Sequence, residues 1–329
     1  MLVYIIKRLL NMIPTLVLIT IISFLIIQLP PGDFATFYMR TFEETGARID
    51  NEEAELENIR RQFNLDKPII VQYFLWVGGF FKGDFGYSFE WNKPVSYVIS
   101  QRLPLTIMIT LCSTFFVWIV GFLIGFYSAT NQYSIIDYFA TFFGFLGLAI
   151  PNFLLATVIM WIGFSVFGLD VGGLFSDEYL NAPWTIGKFI DLLSHLWVPV
   201  IVIGTAGTAG IIRIFRANLL DELSKPYVDT ARAKGVSEGK LLIKYPVRIA
   251  LLPFISTVGW TLPILISGET ITSVVLSLPT TGPVLLRALR SQDMYLAGSF
   301  IMLLSFMTVI GTLVSDLLLA WADPRIRYE

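Results

Sequence analysis

Apolar residues fall in six long runs, at about 9–30, 103–129, 137–167, 195–219, 247–276 and 296–320, with the charge concentrated between them. A hydrocarbon core roughly 30 Å thick takes about 20 apolar residues per helix. Each run therefore predicts a membrane-crossing helix, since a lone segment in lipid must satisfy its own backbone polar groups. The expected fold class is all-α: a polytopic membrane protein with six transmembrane helices. The first run follows Lys7 and Arg8 as a secretory leader would, but it is about twice the length of a leader's apolar core. It ends in Leu29-Pro-Pro-Gly32 rather than a small-x-small cleavage site, so it is expected to remain as the first helix.

The polar intervals orient these spans. Lys7 and Arg8 precede the first, and Arg213, Arg216, Lys225, Arg232, Lys234, Lys240, Lys244 and Arg248 cluster around the fourth-to-fifth connection. Arg325 and Arg327 follow the last. Short basic segments stay on the cytoplasmic side, and all three groups share a side only if the number of spans is even. Both termini are thus expected in the cytoplasm. The divisions that follow are 1–30 (N-terminus and first helix), an extracytoplasmic segment 31–102, a core 103–321 carrying helices two to six and a cytoplasmic loop 220–246, and a tail 322–329.

Within the outer segment, Glu43 to Arg61 is charged on nearly every turn and predicts a solvated helix. Tyr73-Phe-Leu-Trp76 and Phe80-Phe81 follow, then a glycine-punctuated turn, Gly83-Asp-Phe-Gly-Tyr-Ser88. This amphipathic stretch is expected to lie along the membrane surface with Trp76 and its neighbours at headgroup level. A second outer loop, about 168–194, specifies no ligand by its residues.

Composition narrows the function classes. With 55% hydrophobic and 15% charged residues the chain is too apolar for a soluble globule of 329 residues. A net charge of −2 and the lack of a basic tail give no footing for nucleic acid. One cysteine, Cys112, and one histidine, His195, build neither an intrachain disulfide nor a metal site. The nearest approach to a phosphate loop, Gly235-Val-Ser-Glu-Gly-Lys240, is one residue short of the required spacing and has Leu241 where the magnesium-holding Ser or Thr belongs. No catalysis, cofactor or metal is expected on this chain.

Some features lie inside the apolar runs. Gly121 and Gly125 form a GxxxG, which lets helix backbones approach closely. Gly204 to Gly210 is a run of small residues that should pack against a helix or line a passage, and Pro151 should kink the third span. Glu269 places an ionisable group in a span, which costs about 2.5 kcal/mol or more at the centre and marks a functional candidate. Gly204, Thr205, Gly207, Thr208 and Glu269 are the candidate pathway-lining residues.

The most informative stretch is the basic connection after span four. Ser224 is placed to cap a helix whose first turn accepts Pro226, Gly235 to end it in a left-handed turn, and Ser237 to start a second short helix. Such an element has no reason to enter lipid and predicts a docking surface. Asp229-Thr-Ala231, three residues and then Gly235 resembles the cytoplasmic EAA loop of ABC importer permeases. The longer string Tyr227-Val-Asp-Thr-Ala-Arg-Ala-Lys-Gly235, with Ala250-Leu-Leu-Pro253, is similar to the B-type permease of oligopeptide and dipeptide importers. Asp229 and Thr230 stand where that family usually has Glu and Ala, which keeps a charge and a small side chain.

The resemblance extends to Tyr4-Ile-Ile-Lys-Arg-Leu-Leu10, Pro14-Thr15, Pro31-Gly-Asp33, Leu65-Asp-Lys-Pro68, Gln72-Tyr73, Gly83-Asp-Phe-Gly86 and Asp323-Pro-Arg325. Leu278-Pro-Thr-Thr-Gly282 departs from it by lacking a glycine after the proline, and the family's intramembrane acidic residue falls at Ser273, one turn after Glu269. The resemblance implies a type I ABC importer permease-like fold in the inner membrane of a bacterial or archaeal cell. It further implies that Tyr227, Asp229, Thr230, Ala231, Arg232, Ala233, Lys234 and Gly235 seat on an ATPase. The implied partners are a homologous second permease, two cytoplasmic ATPase subunits that bind ATP–Mg, and an extracytoplasmic substrate-binding protein. Peptides are the implied cargo, with oligosaccharides or a metal chelate such as nickel moved by relatives. An ion-coupled secondary transporter, the rival class, builds its site from intramembrane charges and repeated halves, and here such charges are scarce.

Overall fold

The computed structural model describes residues 2–28, 33, 35–36, 39, 52–62, 64–88, 90–169, 171–256 and 270–322. In chain order the elements are α1 (Leu2–Gln28), α2 (Glu52–Gln62), α3 (Ile69–Lys82), a hairpin of β1 (Tyr87–Ser88) and β2 (Lys93–Pro94), and α4 (Val95–Thr130). They continue with α5 (Ile135–Ala149), α6 (Asn152–Phe167), α7 (Ile186–Leu223), α8 (Pro226–Ala233) and α9 (Glu238–Lys244). The last are α10 (Pro246–Ser256), α11 (Thr270–Val275), α12 (Thr281–Arg290) and α13 (Met294–Ala322). The protein is a helical, polytopic membrane protein. Among the described residues, α1, α4, α7 and α13 are each long and apolar enough to cross a bilayer.

The third expected span differs from its prediction. Instead of one kinked helix, α5 and α6 meet at a bend of 105°. The residue before a proline is driven out of helical space, and Ile150 is accordingly extended at φ −90°, ψ 120°. Pro151 then begins a new helix, its carbonyl accepting from the amides of Leu154 and Leu155. For the fifth expected span, α10 and α11 occupy the two ends; its centre, with Glu269, lies outside the described residues.

Among the described residues, those within 6–105 and 280–307 pack as one unit, and those within 106–279, with 2–5 and 308–322, as another. In the first, Val95, Val98, Val284, Ala288, Leu296 and Phe300 are buried together. A second cluster joins Phe24 of α1 to Tyr73, Trp76 and Phe80 of α3 and to Met294. Trp76, expected at headgroup level, is only 4% exposed and packs against Phe24 and Phe80. Residues 73, 76, 77 and 80 recur at helical spacing and turn inward, and the neighbouring face of α3 carries the exposed apolar side chains Ile70, Phe74 and Phe81. Buried Asp293 ties the hairpin to the start of α13, accepting from Ser88 Oγ at 2.6 Å and from the amides of Glu90 and Leu296. Asp33 accepts from Arg60 Nε at 2.6 Å and from Thr36. Burial alone would raise its pKa, but these bonds hold the carboxyl below its ordinary value.

In the second unit α7 is the central helix. In lipid, helices gain little from excluding water and depend on close packing, which the small residues provide. A Cβ added at Gly121 would lie 2.6 Å from Ile211 Cγ2, and one at Gly125 would lie 3.1 Å from Phe215 Cδ1. Val117, Ile211, Phe215, Leu219, Val247 and Ala250 form the surrounding core. The loop between α6 and α7 is fixed at two points: the Gly173 amide donates to the Leu276 carbonyl at 2.7 Å, and Ser176 donates to Asp191 from both its amide and its hydroxyl. His195 lies within α7, its Nδ1 2.8 Å from the Asp191 carbonyl oxygen.

Candidate functional site

Helix α7 runs unbroken for 38 residues to Leu223, and the short-helix element expected to dock follows almost at once. Ser224 closes α7 with its hydroxyl donated to the Asp221 carbonyl at 2.8 Å. Lys225, not Ser224, holds the position before α8: it is extended at φ −78°, ψ 144°, as a residue preceding proline must be. Pro226 opens the helix, where its missing N–H costs nothing. Gly235 takes φ +78°, the left-handed turn expected of it. With no Cβ, glycine adopts this at no steric cost. Ser237 then precedes α9 in extended conformation.

Apolar contacts hold the two short helices against each other. Val228, Ala231 and Leu241 are buried, with Tyr227, Val236, Leu242 and Tyr245 packed around them. The Tyr227 hydroxyl donates to Glu222 near the end of α7, which fixes α8 to that helix. Burial first, and then this carboxylate, pushes the Tyr227 phenol well above its ordinary pKa. On the outer side Arg232 bonds Asp229 at 3.1 Å and Glu238 at 2.8 Å. The Glu238 carboxylate raises the guanidinium's pKa, and Arg232 lowers that of Glu238.

The eight predicted loop residues therefore divide by role. Tyr227 and Ala231 turn inward and hold the element, whereas Asp229, Thr230, Arg232, Ala233, Lys234 and Gly235 face outward. Among the described residues, none beyond its own chain neighbours comes within 4 Å of where a Gly235 Cβ would be, so the glycine meets open space. Sequence reasoning missed Glu238, the second partner of Arg232, and Ile243, an apolar side chain 67% exposed beside Lys244. An exposed isoleucine between lysines on a basic loop was the available signal.

The pathway candidates are packed against neighbours. A Cβ on Gly204 would lie 2.6 Å from Phe116 Cδ1 and one on Gly207 3.1 Å from Val117 Cγ2. Thr205 and Thr208 return their hydroxyls to the carbonyls of Ile201 and Gly204 in their own helix. Both also line an apolar cavity of about 410 Å³ with Phe116, Phe139, Phe143 and Ala209. Glu269 is outside the described residues.

A further constellation near the end of α7 was not foreseen. Asp137, in the first turn of α5, is buried and gripped by Arg216: Nε to Oδ1 at 3.1 Å and Nη2 to Oδ2 at 3.0 Å. Ser128 donates its hydroxyl to the same carboxylate, and the Tyr133 amide donates at 3.0 Å.

Two family models cover nearly the whole chain. Residues 121–328 match the binding-protein-dependent transport system inner membrane component, and residues 1–110 match the N-terminal part of such membrane components. The chain belongs to this family of ABC importer permeases. It is 37% identical to the oligopeptide transport system permease protein AppB of Bacillus subtilis, over 99% of both chains. It is 31% identical, over the full length of both chains, to the oligopeptide permease OppB of Haemophilus influenzae. Identity is again 31%, over both full lengths, to the glutathione transport permease GsiC of Salmonella paratyphi A. The protein is thus a transmembrane permease subunit, and its fold carries the helix–glycine–helix element that the loop pattern predicted.

Proposed function

We propose that this permease forms, with a homologous second permease, the membrane pathway for di- and oligopeptides, and that loop 220–246 seats on a cytoplasmic ATPase. The observation that carries this reading is the outward charged face of α8 around Gly235, joined by a two-residue link to a helix long enough to cross the membrane. ATP hydrolysis resides on two partner ATPase subunits, and their closure moves the docked loop and switches which side the pathway faces. The relatives named for oligopeptides and glutathione support peptide cargo.

Six spans with both termini in the cytoplasm place the basic groups at Lys7, 213–248 and Arg325 together on one side. The outer segment then faces the substrate-binding protein. There, α3 rests its Ile70, Phe74 and Phe81 face on the membrane surface. A cavity of about 780 Å³, rimmed by Glu55, Asp84 and Tyr87, opens toward the incoming protein.

Reconstitution in liposomes tests the reading. The chain, its second permease, the ATPases and the binding protein should import labelled di- and tripeptides with ATP and without an ion gradient. Import driven by an ion gradient alone, or of oligosaccharides or nickel chelates instead of peptides, contradicts it.

A further inference from the structure

We propose that Asp137 and Arg216 form the joint by which α7 carries movement of the docking element to α5 and to the cavity that α5 lines. Three pieces of chain converge on this ion pair: the last turn of α4, where the Ser128 hydroxyl accepts from Arg216, the α4–α5 turn, whose Tyr133 amide donates to the Asp137 carboxylate, and the first turn of α5 through Asp137 itself, which accepts from Arg216. Tyr133 adopts φ +61°, a left-handed conformation unusual for a side chain of its size. The turn is therefore bent to present its N–H to the carboxylate. The grip is planar and two-pointed, which a guanidinium provides and an ammonium does not.

Arg216 stands two helical turns before the end of α7, roughly 10 Å along its axis, with no break between it and Leu223. A displacement of α8 reaches Arg216 through continuous helix. On the receiving side, α5 is separated from α6 by the 105° bend at Ile150–Pro151, so it can pivot without dragging α6 as a rigid rod. One face of α5, with Ile136, Phe139, Ala140, Phe143 and Gly144, lines the apolar cavity that Thr205 and Thr208 close from α7. Moving α5 therefore reshapes this cavity. A well-packed apolar pair would hold the helices about as firmly as a buried ion pair; the ion pair adds a fixed register between α7 and the α4–α5 turn. Asp137 and Arg216 are positioning residues and touch no cargo.

The proposal rests on the docking of loop 220–246 to the ATPase, and the test separates the two. Complete transporters carrying Arg216→Lys or Asp137→Asn are purified and placed in liposomes. Subunit composition, ATP hydrolysis and peptide import are measured on the same vesicles, with a crosslinker at Lys234 reporting contact with the ATPase. Both variants should assemble, crosslink and hydrolyse ATP, while peptide imported per ATP falls about tenfold, within the 5- to 150-fold range usual for coupling between sites. Asp137→Glu, which keeps the charge, should recover part of that ratio. An unchanged ratio in assembled variants overturns the joint, as does failure of all three variants to assemble, which would make the pair a folding contact only. Loss of the Lys234 crosslink in the unaltered transporter would instead strike the docking reading.

Discussion

Two arginines of the same unit grip carboxylates in opposite surroundings. Arg232 bridges Asp229 and Glu238 on the outer face of the docking element, where the three side chains are 48%, 71% and 55% exposed. Arg216 holds Asp137 with side-chain exposures of 30% and 5%. Water and salt compete for the first cluster, and such exposed pairs contribute little; α8 and α9 are held by Val228, Ala231 and Leu241 instead. The charges on the loop therefore remain accessible at the surface, as the proposed docking requires. The second pair is committed inside the chain, because removing Arg216 strands the Asp137 carboxylate away from water.

The largest test of this contrast is Arg216→Ala. Leaving the 5% exposed Asp137 carboxylate without its partner should destabilise the chain by about 3–5 kcal/mol, read as a lower unfolding temperature in detergent; an unchanged temperature would erase the contrast. Next is Gly121→Leu, which drives a side chain into Ile211 and should cost about 1–3 kcal/mol by overpacking. Gly144→Ala, whose Cβ would meet no described atom within 4 Å beyond its own stretch of helix, is the matched control and should leave unfolding unaltered.

Gly235→Ala should cost about 1–2 kcal/mol through its left-handed backbone, and Gly235→Trp, which fills the open space at the proposed ATPase contact, should abolish import. Membrane insertion of both should be normal on fractionation.

The smallest effect is expected of Arg232→Gln, whose unfolding transition should match that of the unaltered chain. Glu238's folded pKa is lowered by Arg232, so any contribution of the pair is present at neutral pH. It fades as pH falls through that lowered value, below the ordinary carboxylate range of about 4.3. At 1 M salt, where the Debye length is about 3 Å, it should vanish at every pH. A salt-resistant transition shift would show the cluster to be structural after all.

Much of the docking element was legible because its signals are local: Pro226 and Gly235 each dictate backbone geometry within a residue or two. Even so, Lys225 took the place assigned to Ser224, since proline constrains whatever precedes it. The Pro151 signal was read in kind but not in degree, because a bend of 105° depends on what α6 finds to pack against. Trp76 shows the limit of periodicity, which tells that residues 73, 76 and 80 share a face but not whether that face meets headgroups or Phe24.

The Asp137–Arg216 pair lay beyond sequence reading for a related reason. The partners are 79 residues apart, and both stand at span ends, where a charge is unremarkable. The available hint was an aspartate opening an apolar run, where a buried acid needs a partner. The small residues at 204–207 gave a choice between packing and passage, and Phe116 and Val117, which settle closely on Gly204 and Gly207, came from a helix nearly 90 positions away.

The central claim is that the outward face of loop 220–246 meets the ATPase. Photocrosslinkers at Lys234 and at Lys82 of the outer segment, in the assembled transporter, test it most directly. Lys234 should capture the ATPase, lose that capture in Gly235→Trp, and never reach the binding protein, whereas Lys82 should capture the loaded binding protein. Capture of the binding protein from Lys234, or of the ATPase from Lys82, would contradict both the docking surface and the orientation of the chain in the membrane.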